Sequence, residues 1–442
     1  MTKIVALLQV LRPHMSQTTI RQLGRVIKAA LSMTGRVTML GVSRWAESGG
    51  SYRTVQRLYH TVIPWGLVFW VLFHGYLWDA DETYLLAGDE CVVNKAGRKT
   101  YGLGHFFSSI YGKLVPGVSF FILALVGIGE RRSDPVRVEQ MVRGMAPRAT
   151  DKATDGEARK VGRPKGLRTR DRRKVALSPE LQQVHAMLEE QLRLMKGILE
   201  VKHLVLDGKF GHNLAVQMAR RVGLHLVSKL HYNVALYLPY QGPYAGRGPK
   251  RKYGERLHAD NLPAHLLRQS TCAHGIQTDI YQAQVWHKDF PDLLNVVFVC
   301  KTNLKTGTHS HVVLFSSDLD LACDQIMDFY TLRFQIEFNF RDAKQYWGLD
   351  DFMNVRPLAV TNAASFSLFM VNIAALLLRP FRQQVSSASV LDLKAYFRGS
   401  HYLALLLNSL PRQPDPILFA GLNQRLATLG SIHPCDFSSL SP

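Results

Sequence analysis

A stretch in the last third of the chain, YTLRFQIEFNFRDAK from Tyr330 to Lys344, carries the groups of a phosphate-handling site. Tyr330, Arg333, Glu337 and Lys344 are separated by 3, 4 and 7 positions. On an α-helix these four side chains, together with Arg341, fall within one sector of roughly 60°. A carboxylate surrounded by cations and a phenol suits a site that holds metal ions and several phosphate groups at once.

The same helix carries an apolar stripe, rotated from the polar sector by about a quarter turn. The stripe consists of Phe329, Leu332, Ile336, Phe340, Ala343 and Trp347. The alternative is a surface helix in which Glu337 forms ordinary i, i+4 pairs with Arg333 or Arg341. Such a helix does not require every functional group to lie along the edge of a buried stripe, so the pattern favours a site.

Two further carboxylates lie in predicted strands. Asp89 interrupts the apolar run Thr83–Val93, and Asp207 ends the run Lys202–Asp207. Taken singly, each has an ordinary explanation, a strand-end acid bonded to a turn or an Asp-Gly turn. Burying a charged Asp costs several kcal/mol unless it is paired or binds a metal. With Glu337 they make three carboxylates, enough for two Mg²⁺ ions in phosphoryl transfer.

The elements that must position these acids alternate between strands and helices. Strand composition is found at Thr83–Val93, His105–Tyr111, Gly117–Val126, Lys202–Asp207, Leu224–Leu230, Gln277–Trp286, Asn295–Lys301 and His311–Ser316. Helical patterns are found at 178–199, 211–222, 318–344, 359–378 and 389–407. We therefore expect the fold class α/β, with a ribonuclease H-like core in which a central strand acid, a neighbouring strand-end acid and a helix acid converge.

The spacing Tyr330-x2-Arg333-x3-Glu337-x6-Lys344 resembles the YREK signature of bacterial insertion-sequence transposases of the DDE class. Asp89 and Asp207 match the other two blocks of that family, and the resemblance covers about residues 80–380. It implies that Asp89, Asp207 and Glu337 ligate two Mg²⁺ ions, for which Mn²⁺ substitutes. It also implies that Tyr330, Arg333 and Lys344 hold DNA phosphates near the cut; Arg341 is our addition from the helical wheel.

The resemblance further implies an enzyme that binds the inverted-repeat ends of its own element as a homodimer. It would nick these ends and join the freed 3′-OH groups to target DNA. Relatives with this signature carry a β-rich insertion before the Glu, and some excise through a DNA hairpin in which a tryptophan stacks on a flipped base. Trp286 is the candidate for that tryptophan; a core tryptophan that packs in the sheet is the favoured alternative.

Residues 1–80 have the pattern of a helical domain. Short helices are expected at Gln17–Ser32, Leu40–Glu47 and Tyr52–Thr61, the last with Ser51 as its N-cap. Arg53, Gln56 and Arg57 lie along the outer side of that last helix. This outline is typical of a helix-turn-helix that contacts DNA, although helical bundles share it.

The composition indicates a polyanionic partner, since the formal net charge is +20 and the pI is about 9.8. The apolar stretches Pro64–Trp78 and Val360–Phe381 are expected to be buried core helices, with no membrane span. The 5 cysteines form no CxxC pair, which argues for a reducing compartment and against a structural zinc site. A cytoplasmic, nucleoid-associated protein is expected.

The segment 131–174 holds 15 Lys and Arg against 6 Asp and Glu, without an aromatic residue. It is predicted to be a flexible basic segment. Within it, Gly162-Arg163-Pro164-Lys165-Gly166 resembles an AT-hook core for the minor groove; a solvated loop is an equal alternative. A second basic loop, Gly242–Arg256, contributes the candidate DNA contacts Lys250, Arg251 and Lys252.

The predicted domains follow from these patterns. They are a DNA-binding domain at 1–80, the core at 81–230 and 317–385, a β-rich insertion at 231–316 and a C-terminal helical region at 386–442. Two other functions are compatible with the pattern: a ribonuclease H-like nuclease without strand transfer, and a transposase-derived DNA-binding protein without catalysis. A membrane-surface protein is disfavoured because no cationic amphipathic helix accompanies an anchor.

Overall fold

The computed structural model describes residues 2–46, 49–108, 111–142, 171–244, 246, 248–410, 415, 421–422, 425–426 and 428–433. The AT-hook-like core with Arg163 and Lys165 lies outside the described residues. Within those ranges the chain is a mixed α/β structure around one 12-stranded mixed sheet. This architecture is consistent with the expected ribonuclease H-like fold.

The helices and strands are defined as follows. The helices are α1 Thr2–Gln9, α2 Gln17–Ser32, α3 Met39–Trp45, α4 Tyr52–Tyr59, α5 Trp65–Leu72, α6 Pro179–Met195, α7 Asn213–Arg221, α8 Cys323–Leu332, α9 Gln335–Tyr346, α10 Pro357–Gln384 and α11 Val390–Ser409. The strands are β1 Tyr84–Asn94, β2 Gly104–Ser108, β3 Lys113–Gly127, β4 Arg132–Met141, β5 His203–Leu206, β6 His225–Lys229, β7 Leu236–Pro239, β8 Tyr253–Leu257, β9 Leu267–Ala273, β10 Ile276–His287, β11 Leu294–Asn303 and β12 His309–Ser316.

The centre of the sheet has the order β4-β3-β1-β5-β6. The first three strands pair antiparallel, whereas β5 is parallel to β1 and β6 is parallel to β5. Because β5 and β6 run parallel, helix α7 crosses between them, as a parallel connection requires. This arrangement places the end of β5 beside the middle of β1.

Strand β4 corrects the sequence prediction, because it lies inside the predicted flexible segment 131–174. The predicted strand His105–Tyr111 corresponds to the short β2, Gly104–Ser108, which pairs with the first residues of β3. The charges of β4 misled the prediction: Arg132 pairs with Asp134 and Arg137 with Glu139. Paired charges allow a strand with many ionic residues to be buried.

The predicted β-rich insertion at 231–316 extends the core sheet. Strand β12 pairs antiparallel with β6, and the sheet then continues through β11, β10, β7 and β8. Strand β9 forms a hairpin with β10. The insertion therefore shares a continuous hydrogen-bonded backbone with the strands that carry the predicted acids.

The predicted continuous helix 318–344 is wrong in two respects. It begins at Cys323, and it is interrupted at Arg333 and Phe334 between α8 and α9. At the interruption, the N–H groups of Phe334, Ile336 and Glu337 donate to carbonyls three residues back, at 3.0–3.1 Å. Such a tightened turn has about 3.0 residues per turn and rotates α9 relative to α8.

The N-terminal helices dock against the last two long helices. On α10, the Asn362 side chain donates to the carbonyls of Tyr59 and Thr61 at 2.8 and 2.9 Å, and it accepts from Trp65 Nε1 at 2.7 Å. Apolar side chains of both regions belong to one buried cluster. Helix α10 is long and apolar enough to cross a membrane, but 89% of its apolar window is buried inside the protein.

Candidate active site

The site begins with the register of β1 and β5. Their last paired positions are Gly88 and Leu206, so Asp89 and Asp207 follow as neighbours across the two strands. Adjacent strands lie about 4.8 Å apart, and paired residues point to the same face. The preceding residues on that face, Ala87 and Val205, belong to the cluster that α8 and α9 cover. Both carboxylates therefore point toward these two helices.

The third acid, Glu337, reaches the same place from α9. The residues before it on the apolar side of the helices, Leu332 and Ile336, are fully buried in that cluster. The side chain of Glu337 stays 41% exposed at the edge of the site. Arg333 contacts both Asp89 and Glu337, and Asp207 follows the strand position beside Asp89, so the three carboxylates lie close together.

Arg333 holds the acids together, because it lies at the interruption between α8 and α9. Its guanidinium Nη1 donates to Asp89 Oδ2, and Nη2 lies 3.5 Å from Glu337 Oε1. Its side chain is only 13% exposed. The tightened turn thus places the cation of Arg333 between acids from a strand and a helix.

The site is short of compensating charge. Burial raises the pKa of Asp89 to about 6; Arg333 opposes the rise, while Asp207 and Glu337 add to it. Burial also raises the pKa of Asp207, again against the effect of Arg333. Carboxylates whose pKa values rise in this way are typical of sites that gain a further cation in function.

Two polar atoms at the centre are buried and have no hydrogen-bond partner within the part of the chain that the structure describes. They are Asp207 Oδ1 and Arg333 Nε. Leaving a buried polar atom without a hydrogen bond costs about 1–3 kcal/mol, so each such atom requires an explanation. Three convergent carboxylates with an unused oxygen fit divalent ions that prefer oxygen ligands. Asp89, Asp207 and Glu337 are therefore the residues that could hold them.

The other predicted residues of the helix differ in their positions. Tyr330 lies beside Arg333, with 5.7 Å between its ring centroid and the guanidinium carbon, and burial raises its pKa. Lys344 Nζ donates to the carbonyl of Val92 at 2.9 Å and so ties α9 to β1. Arg341 is exposed and bonds to Asp342 at 3.0 Å, one turn beyond Glu337.

The sequence analysis missed an ion network at the edge of the site. Lys209 Nζ lies 2.6 Å from Glu90 Oε2 and also bonds Glu180. Glu90 follows Asp89 on β1, and Lys209 lies two residues after Asp207. The network joins the start of α6 to both acid-bearing strands, so it fixes the turn that begins at Asp207. The positions of Glu90 and Lys209, so close in sequence to Asp89 and Asp207, could have indicated this network.

The predicted DNA contacts lie in two other places. Arg53, Gln56 and Arg57 are exposed on α4, and the last two line a cleft of about 540 Å³ shared with residues 353–356. They do not approach the three acids.

In the insertion, Lys250 and Arg251 are exposed, while Lys252 Nζ covers the Trp286 ring at 3.4 Å from its centroid. Trp286 is half-buried on β10, opposite Tyr237. It is not among the fully buried residues of the core, and it packs in the sheet on β10. The Lys252 cation covers one face of this half-buried ring.

Comparison with known proteins identifies the family but not a relative. A search of curated proteins found no match. A family model described as DDE superfamily endonuclease matches residues 10–290, more than half of the chain. The matched range contains Asp89 and Asp207 and ends before Glu337, so the third acid rests on the geometry above. Members of this superfamily typically use divalent metals and act on DNA, and the chain belongs to the DDE superfamily endonuclease family.

Proposed function

We propose that the protein is a cut-and-paste DNA transposase of the YREK-signature class from a bacterial insertion sequence. The observation that carries the proposal is the convergence of Asp89, Asp207 and Glu337 around Arg333. When bound, two divalent ions would activate the attacking oxygen and stabilise the leaving 3′ oxygen. The protein would bind the inverted-repeat ends, cleave them and join the 3′-OH ends to target DNA.

The residues around the acids would position the DNA strand. Arg333 has five N–H donors, of which the contacts to Asp89 and Glu337 use two. Its remaining donors and the Tyr330 hydroxyl suit phosphate oxygens beside the acids. Lys344 would fix α9 against β1 through its hydrogen bond to Val92. Its remaining N–H groups would donate to a DNA phosphate.

The positive charge of the whole chain supports DNA as the partner, since +20 is far from balance. Exposed Arg53, Gln56 and Arg57 on α4 would contribute to binding of the ends. Cleaving two ends together requires two active sites, which we propose a homodimer on DNA supplies. A cytoplasmic, nucleoid-associated location is part of the same proposal.

The test is a reaction of the purified protein with DNA that carries the inverted repeats of its own element and a plasmid target. We expect cutting at the ends and joined products with Mg²⁺ or Mn²⁺, and neither with EDTA. Cutting without joining would favour a ribonuclease H-like nuclease. Tight binding with neither reaction, under both metals, would favour a DNA-binding protein derived from a transposase.

A further inference from the structure

A second group of metal-ligating side chains lies in the insertion, on β12 and in the loop between β8 and β9, and not on β1, β5 or α9. It consists of Asp260, in the loop between β8 and β9, and of His309 and His311 on β12. One ligand atom from each residue lies within 4.8 Å of the others. Histidines at i and i+2 on a strand point to the same face, so β12 itself pairs the two imidazoles.

The second nitrogen of each imidazole is already engaged. His311 Nε2 donates to the carbonyl of Tyr232 at 2.9 Å, which leaves the lone pair on Nδ1. His309 Nδ1 lies 3.2 Å from Thr302 Oγ1, and its Nε2 lies 3.9 Å from Asp260 Oδ1. Metal-bound histidines commonly make such a hydrogen bond through the nitrogen that does not bind the metal, which fixes the ring and its tautomer.

We propose that Asp260, His309 and His311 form a binding site for Zn²⁺ or a similar transition-metal ion. Two imidazoles and one carboxylate are a common ligand set for zinc, with a fourth position left for water. Tetrahedral zinc with bonds of about 2.0–2.1 Å needs ligand atoms roughly 3.3 Å apart. The Asp260 side chain is 86% exposed, so it can rotate to close the remaining gap to His309.

The bound ion would fasten the loop that contains Asp260 to β12. That loop also meets the neighbouring strand β11, where Cys300 Sγ lies 3.8 Å from the carbonyl of Ala259. The lack of a CxxC pair does not count against this site, because the three proposed ligands are histidines and an aspartate. The site is separate from Asp89, Asp207 and Glu337, which offer oxygen ligands alone.

The experiment measures zinc bound per chain to the full-length protein without an affinity tag, in excess Mg²⁺ to occupy the carboxylate site. Asp260→Asn, His309→Ala and His311→Ala are compared with wild type. His265→Ala is the matched control, because His265 is exposed in the same loop and is not a proposed ligand. We expect wild type and the control to bind one Zn²⁺ tightly, and each ligand variant to bind it at least 10-fold more weakly.

Two further measurements guard against a folding defect. Asp260→Asn changes one exposed, isosteric side chain, so thermal unfolding in EDTA should match wild type. With Zn²⁺, the loop between β8 and β9 should resist proteolysis in wild type and not in this variant. Absence of bound zinc in wild type, or equal zinc affinity in wild type and Asp260→Asn, would overturn the proposal.

Discussion

Arg333 is the residue on which the geometry of the acids depends. It balances Asp89 and reaches toward Glu337 from a side chain that is only 13% exposed. Its removal would raise the pKa of Asp89 further, because Arg333 opposes the effect of burial more strongly than the backbone N–H of Glu90 does. A protonated Asp89 is a poor metal ligand near neutral pH.

We therefore expect Arg333→Ala to lower end cleavage by roughly 100-fold or more, the usual loss when a charged donor is removed from an active site. Cleavage rates at saturating Mg²⁺ measure the effect. Arg131→Ala is the matched control, since it removes an exposed Arg131–Asp328 pair at 2.7 Å beside α8. Normal cleavage and joining by Arg333→Ala would show that the guanidinium has no part in the reaction.

Glu337 is the proposed metal ligand on α9. Glu337→Gln keeps the size of the side chain and removes its charge, so the structure of α9 should persist. We expect end binding at wild-type affinity and no detectable cleavage, because a metal ligand is removed and a DNA contact is not. Gel-shift and cleavage assays on the same DNA separate the two effects, and Asp342→Asn on the same helix serves as the control. Cleavage by Glu337→Gln at the wild-type rate would remove it from the proposed metal site.

Residue types pointed to Asp89 and Asp207, because a charged carboxylate in an apolar strand is costly unless it is paired or binds a metal, whereas Glu337 came from the spacing of polar groups along its helix. Residue types did not predict what the cations do in the folded chain. Lys344 ties α9 to the backbone of β1, and Arg341 pairs with its neighbour Asp342. A helical wheel gives the direction of a side chain, but its partner depends on the strand that packs beside it.

At the scale of elements, the end of α9 depends on Gly348. Its φ of +82° lies in the left-handed region, and the N–H of Leu349 donates back to the carbonyl of Ala343 at 3.0 Å. This is the usual glycine termination of a helix. A Cβ at Gly348 would lie 2.6 Å from Val37 Cβ and 2.7 Å from the Val37 carbonyl oxygen. The end of α9 is thus packed directly against the N-terminal region.

We expect Gly348→Ala to lower the free energy of unfolding by on the order of 3 kcal/mol, from backbone strain and the clash with Val37. Gly197→Ala is the control, since Gly197 has a φ of +78° and a Cβ added there would have no atom within 4 Å. The control should show only the strain, about 1–2 kcal/mol. Urea denaturation of both variants measures the difference; equal destabilisation would mean that the contact with Val37 relaxes freely.

The start of α11 gives a prediction about pH. Buried Asp392 accepts from Ser389 and from the backbone N–H groups of Ile432 and His433, at 2.6–2.9 Å. Although burial alone would raise it, these donors lower the pKa of Asp392 to about 2. An unfolded Asp has a pKa of about 3.9. Ionised Asp392 therefore stabilises the folded state fully above about pH 4, and this contribution to the free energy of unfolding is lost as the pH falls toward 2.

Asp392→Ala should lower the free energy of unfolding at pH 7 by on the order of 2 kcal/mol, since several buried donors lose their acceptor. It should also flatten the acid limb of the stability curve between about pH 4 and pH 2. Thermal unfolding across that range measures both effects, with exposed Asp320→Ala as the control. An unchanged acid limb would mean that Asp392 does not carry this dependence.

Elements with clear periodicity were predictable, such as α2, whose bounds match the sequence pattern. Strand β4 was not, since Arg132, Asp134, Arg137 and Glu139 have the composition of a solvated segment, yet they pair with each other along a strand that lies beside β3. The interruption between α8 and α9 was also missed, because Arg333 and Phe334 are acceptable helix residues. The metal-ligand group of Asp260, His309 and His311 joins a loop to a strand about fifty positions away, which no local pattern reveals.

At the scale of the whole molecule, the positive charge is distributed unevenly. Seven Lys and Arg and three Asp and Glu lie in residues 151–170. After this segment, Arg172 pairs with Asp289 at 3.6 Å, and Arg173 bonds Asp292. A replacement that tests the basic segment should therefore end at residue 170, so that the contacts of Arg172 and Arg173 with the insertion remain.

We expect replacement of 151–170 by a Gly/Ser segment of equal length to weaken nonspecific DNA binding and leave thermal stability unchanged. For each DNA phosphate that the variant no longer neutralises, the slope of log K against log[salt] should become shallower by about 0.9. A second variant keeps the length and cations but replaces Pro164 by Ala, which separates an AT-hook-like geometry from charge alone. If the Gly/Ser variant kept the wild-type salt slope, the cations of this segment would take no part in DNA binding. If the Pro164→Ala variant, which keeps the cations, lost its preference for AT-rich DNA, the segment would bind through the minor groove.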